Sequence, residues 1–213
     1  MLFIWDVDRR LKTHLKARLK HNSSVRLMFP TDPTSESIVK LAPDAEVIVG
    51  WRPTEELLKA AEKLQLFINP GAGVQHLIEL FKGLPPSRNV LLANCHGNSY
   101  FVAQHVVALL LSLANKIVIH HNRMAAGEWR KRDERTKSFP LRNRKVGLLG
   151  YGAVNQKVHK LLSGFDLEFS ILRRSWDDSS VQLPTPARTF SSSQLPRFLE
   201  EIDILVLAVP LTG

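Results

Sequence analysis

The segment Lys145 to Leu162, KVGLLGYGAVNQKVHKLL, has the residue types and spacing best suited to holding a ligand. An apolar run ends in Gly150-Tyr151-Gly152, and a run of helical character follows it. In a dinucleotide-binding turn the first glycine permits the tight bend, the second lets the backbone approach a diphosphate, and the third lets the helix pack closely on its strand. Gly150 and Gly152 supply the first two, while Asn155 stands where the third is expected. The amides of Ala153 and Val154 then fall at a helix N-terminus, where unpaired N–H groups and the helix dipole favour an anion. Asn155 removes only the third role, so the helix is expected to stand slightly farther from its strand. An ordinary strand–turn–helix would carry the same two glycines. The context favours the ligand: a strand before, a helix after, and a further strand about twenty residues on.

That further strand ends in FSILRRS. An NAD-binding unit usually places Asp or Glu there to accept from the ribose hydroxyls, whereas this chain has Arg173 and Arg174, followed by Ser175. A carboxylate repels a 2′-phosphate and guanidinium groups bind one through forked, charge-assisted hydrogen bonds. The pattern points to NADP, with NAD as the alternative. The competing reading is a pair of solvated strand-end charges.

The elements that must position these residues follow from periodicity. Leu2 to Trp5, Val25 to Phe29, Val47 to Val49, Leu66 to Ile68 and Val90 to Ala93 are apolar runs of strand length, separated by helix-like segments such as Thr54 to Leu64 and Val74 to Phe81. Helical crossovers imply parallel strands. Thr54, followed by Glu55 and Glu56, is a suitable N-cap. A long helix is expected from Asn98 or Ser99 towards Gly127, after which the alternation restarts at Val146 to Leu149, Phe169 to Leu172 and Ile204 to Val209. The restart places a domain boundary near Asn98, giving units 1–98 and 99–213, with Leu183 to Pro196 as a surface connection inside the second. The fold class is α/β, with two parallel-sheet units.

Composition bounds the function. The chain has 213 residues, 44% of them hydrophobic, enough to bury a core. Its only cysteine, Cys95, excludes an internal disulfide and reads as a small buried residue of a reducing compartment. The apolar start, Met1 to Trp5, lacks a basic region before it and is followed at once by charge, so it reads as a strand, and a cytoplasmic location is expected. The formal charge of +9 arises partly from Arg130 to Lys145, a stretch with one aromatic, Phe139, and no zinc-ligand spacing. It reads as a solvated loop, so no nucleic-acid partner is expected. Gln104, His105, Asn115 and Lys116 interrupt the apolar Phe101 to Ile119 stretch, which argues for a buried helix and against a membrane span. His96, His105, His120 and His121 have no metal-ligand partners at a suitable spacing, and no metal is expected.

Several ordered stretches resemble the D-isomer-specific 2-hydroxyacid dehydrogenase family: NPGAGVQHL at Asn69 to Leu77, ANCHGNSYFVAQHVVALLLSL entering the long helix, GEWR after it, VGLLGYGAVNQKV, and EEIDILVLAVPLT. The resemblance implies a flavodoxin-like substrate domain followed by a partial Rossmann dinucleotide-binding domain. It implies that the backbone around Ala72, Gly73 and Val74 receives a substrate carboxylate, and that Pro210 joins Gly150, Gly152, Ala153, Val154, Asn155, Arg173, Arg174 and Ser175 around the cofactor. Gln75 stands where the family often has Asp, and Gln104 where its Ala-Glu-His has Glu. Both keep hydrogen bonding and delete charge.

The implied function is NAD(P)-dependent oxidation of the CH–OH group of a 2-hydroxy acid, or reduction of the 2-keto acid, by a homodimer joined through the Phe101 to Ile119 helix. In the family the catalytic Arg, acid and His lie beyond the strand ending in Pro-Leu-Thr, and no residue of this chain matches them. No catalytic residue is therefore assigned, and the 213-residue chain is expected to be an inactive, C-terminally shortened form. A non-catalytic dinucleotide-binding regulator and a binder of S-adenosyl compounds are the alternatives.

Overall fold

A computed structural model describes residues 1–32, 34–129, 134–176 and 182–210. Arg130 of the Gly-Glu-Trp-Arg stretch, residues 130–133 of the basic loop, and residues 211–213 of the final stretch lie outside the described residues. The chain divides into two compact units, Met1–Gly97 and Asn98–Gly213.

In the first unit, β1 (Leu2–Phe3), α1 (Arg9–Leu19), α2 (Ser35–Leu41), β2 (Val47–Val49), α3 (Glu55–Ala60), β3 (Leu66–Asn69), α4 (Gln75–Lys82) and β4 (Leu91–Asn94) follow one another. The strands form a parallel sheet in the order β1-β2-β3-β4. Met28 adds a parallel bridge outside β1, through Phe3 N–H to Met28 O at 3.1 Å and Met28 N–H to Met1 O at 2.8 Å. With that bridge the order is that of a flavodoxin-like sheet. Its core is Leu2, Ile48, Leu58, Phe67 and Leu77, all at or near zero exposure.

Two expectations change here. The strand expected over Val25 to Phe29 is only the bridge at Met28, because an edge segment has a partner on one side alone. The helix expected over Thr54 to Leu64 stops at Ala60. Thr54 caps it, its Oγ1 accepting from Leu57 N–H at 3.1 Å, and Arg88 closes the other end by donating to Leu58 O and Ala61 O.

The second unit comprises α5 (Ser99–Ala114), α6 (Ile117–Ala125), β5 (Lys145–Leu149), α7 (Ala153–Leu162), β6 (Glu168–Leu172), β7 (Ala187–Phe190), α8 (Leu195–Glu200) and β8 (Ile204–Leu207). Its parallel sheet has the order β7-β6-β5-β8, the first four strands of a Rossmann sheet. The surface connection expected over Leu183 to Pro196 contains β7, an edge strand whose sequence Ala-Arg-Thr-Phe is half polar because only one side is paired. The last strand ends at Leu207, short of the expected Val209.

The single long helix is also corrected. It breaks between α5 and α6, which are bent by 64°. Lys116 adopts φ 55°, and the end of α5 is closed by Phe139 N–H donating to Ala114 O at 3.0 Å and Ser138 Oγ to Asn115 O at 3.3 Å. Nor is α5 wholly buried. Ala103, Leu110 and Ala114 pack with Val158 and Leu162 of α7, but Phe101 is 75% and Leu113 62% exposed. No single helix is long and apolar enough to cross a membrane.

Candidate functional site

Both sheets carry their candidate residues at the carboxyl ends of the strands, where parallel α/β sheets bind ligands. In the second sheet β5 is flanked by β6 on one side and β8 on the other, so the strand order reverses beside the Gly150 turn. Gly150 has φ 80°, and a Cβ there would lie 2.6 Å from Ala208 O and 2.7 Å from Val209 Cγ1. Only glycine fits that bend. Gly152 is the N-cap of α7, gives no side-chain cap, and has nothing within 4 Å of where a Cβ would stand. The first-turn amides of Ala153 and Val154 thus have no partner within the helix. An open glycine at an uncapped helix N-terminus fits a diphosphate.

Asn155 does more than replace a glycine. It is fully buried, and its Nδ2 donates to Gly150 O at 2.6 Å, Leu149 O at 3.1 Å and Val206 O at 3.4 Å. The side chain bridges helix and strand where close glycine packing would otherwise join them, a role beyond the loss of the third glycine that the sequence suggested. Tyr151, between the two glycines, is buried, with its hydroxyl 2.8 Å from His159 Nδ1. His159 Nε2 lies 2.8 Å from Thr185 Oγ1. Burial pushes the Tyr151 pKa up to about 12 and the His159 pKa down to about 4.

Arg173 follows β6, whose Leu172 O accepts from Gly150 N–H at 2.8 Å. Its backbone N–H donates to Phe190 O at 3.2 Å and its guanidinium lies 5.3 Å over the Trp176 ring. Trp176 is fixed in turn by Nε1–H donating to Phe190 O at 2.9 Å. Among the described residues the buried Arg173 Nη1 has no hydrogen-bond partner. Arg174 and Ser175 are exposed beside it, and Pro210 is exposed beyond the end of β8.

In the first sheet, the turn from β3 to α4 contains Ala72, Gly73 and Val74. Asn69, 1% exposed, donates from Nδ2 to Gly71 O at 2.9 Å and Gly73 O at 2.8 Å. Asn94, at the end of β4, donates to Ala72 O at 2.7 Å, and Cys95 N–H to Gly71 O at 3.3 Å. Three successive carbonyls are thus held. In a trans peptide the N–H of the next residue points opposite to the carbonyl, so the amides of Ala72, Gly73 and Val74 face away from these clamps. Amides freed in this way are available to an anion. Cys95 is half-buried, and so is not the fully buried residue expected.

Beside this turn is a cavity of about 590 Å³ lined by Trp51, Arg52, Pro53, His76, Leu77 and Leu80. His76 Nε2 lies 2.8 Å from Trp51 O, which can only accept, so Nε2 carries the proton. His96 and His105 are exposed, and among the described residues no cluster of His, Cys, Asp or Glu can hold a metal ion. Sequence reasoning missed Asn69, Asn94, Tyr151 and His159. The available signal for the first two was an asparagine at the carboxyl end of a strand next to a glycine-rich turn.

The geometry is that of an α/β protein with a Rossmann-type dinucleotide turn. The family model for the D-isomer specific 2-hydroxyacid dehydrogenase NAD-binding domain matches residues 107–213, and the chain belongs to that family. It is 28% identical over 174 residues to a formate dehydrogenase of Chaetomium thermophilum, covering 79% of this chain and 46% of that one. It is 29% identical over 196 residues to a glyoxylate/hydroxypyruvate reductase of Arabidopsis thaliana, covering 88% of this chain and 57% of that one. The chain spans about half the length of these relatives. Its fold matches the crystal structure of a D-isomer specific 2-hydroxyacid dehydrogenase family protein from Aeromonas salmonicida with a TM-score of 0.80 at 20% identity, over 99% of this chain and 64% of that one.

Proposed function

We propose that the chain supplies the acid-binding and dinucleotide-binding parts of an oxidoreductase that interconverts a small 2-keto acid and its 2-hydroxy acid, using NADP in preference to NAD. The observation that carries this is the held turn at Ala72 to Val74, whose outward amides suit a carboxylate. The Gly150 to Val154 turn would receive the diphosphate, and Arg173 with Arg174 the adenosine 2′-phosphate. A nicotinamide held by these residues would supply or accept the hydride. The residues of this chain then orient the two reactants, which removes much of the entropic cost of their meeting. Formate dehydrogenase and glyoxylate/hydroxypyruvate reductase are the activities named for the relatives, and the short 2-keto acid is taken from the second.

The family's arginine, acid and histidine match no residue of the 213, so binding without turnover is the expected behaviour of this chain alone. A second copy is the proposed partner, through the exposed side of α5 and α6.

The test is a binding series with NADPH, NADH and S-adenosylmethionine, followed by glyoxylate or hydroxypyruvate, monitored through the backbone amide resonances of Ala72 to Val74 and of Gly152 to Val154. NADPH is expected to move the second set and the keto acid the first. Stabilisation by S-adenosylmethionine alone would overturn the reading. Sustained oxidation of NADPH would show that the proton donor lies within these residues.

A further inference from the structure

We propose that Asn155, with Gln156 and the Tyr151–His159 pair, is a positioning device that pre-sets the glycine turn for a diphosphate, so that the residue breaking the glycine pattern is what makes the turn work. The proposal rests on reading this turn as the dinucleotide site.

Every carbonyl of the turn is held by a group behind it. Leu149 O accepts from Ala208 N–H at 3.0 Å as well as from Asn155. Gly150 O accepts from Asn155 at 2.6 Å, and Tyr151 O from Gln156 Nε2 at 3.2 Å. Gly152 O accepts from Gln156 N–H at 3.1 Å as the first bond of the helix. Carbonyl and following N–H are antiparallel across a trans peptide, so gripping Gly150 O turns the Tyr151 N–H away from α7, and gripping Tyr151 O does the same for the Gly152 N–H. Together with the uncapped Ala153 and Val154 amides, this gives a continuous run of donors on the side away from the clamp.

The Tyr151 side chain removes the remaining freedom. A residue between two glycines can rotate, but its ring is anchored in the core by the 2.8 Å contact with His159, itself held by Thr185. Rotating either peptide would break a partly buried hydrogen bond, and a carbonyl turned away from water without a partner is costly. A third glycine would supply close packing and none of these bonds.

The proposal and the glycine pattern give opposite forecasts for Asn155→Gly. The pattern forecasts tighter NADPH binding from a restored third glycine. The clamp forecasts weakening by about tenfold, the loss of roughly one net buried hydrogen bond. Gln156→Ala, at an exposed position that cannot unfold the core, is expected to weaken binding by about threefold. The full chain is also examined without ligand, by heteronuclear NOE at the Tyr151 and Gly152 amides. These are expected to be rigid in the unmodified chain and mobile in both variants, with β5 and β6 unchanged. Equal or tighter NADPH binding by Asn155→Gly, or equal rigidity in all three chains, overturns the proposal. If the unmodified chain binds neither NADPH nor NADH yet loses turn rigidity on substitution, the dinucleotide reading fails and the clamp stands.

Discussion

His159 gives a pH dependence whose sign and size follow from its surroundings. The ring has no solvent exposure, lies 4.1 Å from the Phe169 ring, and meets only the hydroxyls of Tyr151 and Thr185 through its nitrogens. Either hydroxyl can donate or accept, so protonation would not cost a partner; it would place a charge where no water reaches. That desolvation holds the pKa at about 4 in the folded chain, against 6.5 for an unconstrained histidine. A depressed folded-state value means that the unfolded chain takes up the proton first. The associated stability is present above pH 6.5 and is lost as the pH falls towards 4.

Between pH 7.5 and pH 5 the unfolded histidine becomes almost fully protonated and the folded one remains mostly neutral, which costs about 2 kcal/mol. With a urea slope near 2 kcal/mol per molar, the unfolding midpoint of the second unit should fall by about 1 M. The control is His159→Gln, which can still hydrogen-bond and does not titrate. All other ionisable groups are shared, so the difference between the two pH profiles isolates this ring. The variant should be less stable at pH 7.5 but should lose about 2 kcal/mol less on acidification. Parallel profiles would refute the reasoning. So would a His159 ring resonance in the unmodified chain that titrates near pH 6.5, a measurement that does not depend on the variant folding.

Two further outcomes are expected. Replacing Arg173 and Arg174 by alanine should narrow the preference for NADPH over NADH by about 1–3 kcal/mol, read by calorimetric titration of both cofactors; equal affinities in the unmodified chain would remove the role given to the pair. The chain should run as a dimer of the 24.1 kDa protomer by light scattering, because Phe101, Leu109, Leu113 and Val118 form an exposed apolar surface, and Leu113→Glu should dissociate it. A monomer at high micromolar concentration would count against that surface as the interface.

The parts of the fold legible in the sequence are those whose residue pattern has a single cause. β5 and β6 are flanked on both sides and buried beyond their first residues, so apolar side chains dominate them, with Ser170 the buried polar one, and the runs at Val146 and Phe169 stand out. β7 and the Met28 bridge lie at sheet edges. There one side is free, polar residues are tolerated, and Ala-Arg-Thr-Phe looks like a connection. The break after α5 was hidden for another reason. Nothing in Asn115-Lys116 forbids a helix; the chain turns there because Phe139 and Ser138, more than twenty residues on, take the end carbonyls.

The two proposed binding turns were legible as glycines and illegible as machinery. Gly150 announces itself, since a bend at φ 80° against Ala208 admits no side chain. The groups that aim the amides are ordinary polar residues whose purpose depends on what lies within 3 Å of them, and spacing carries no record of that. The two turns share a Gly-X-Gly, at Gly71 to Gly73 and at Gly150 to Gly152, and each is held by asparagine: Asn69 and Asn94 around Gly71 to Gly73, and Asn155 around Leu149 and Gly150. The shared requirement is chemical. To present N–H groups to an anion, a loop must direct its carbonyls inward, and a carbonyl turned inward needs a neutral donor. A lysine or arginine could donate but would bring a charge to be desolvated, and a serine has one proton to give where the asparagine amide has two. An asparagine in place of an expected glycine therefore need not mark a decayed site. At position 155 the substitution exchanges close packing for two strong hydrogen bonds to the turn itself.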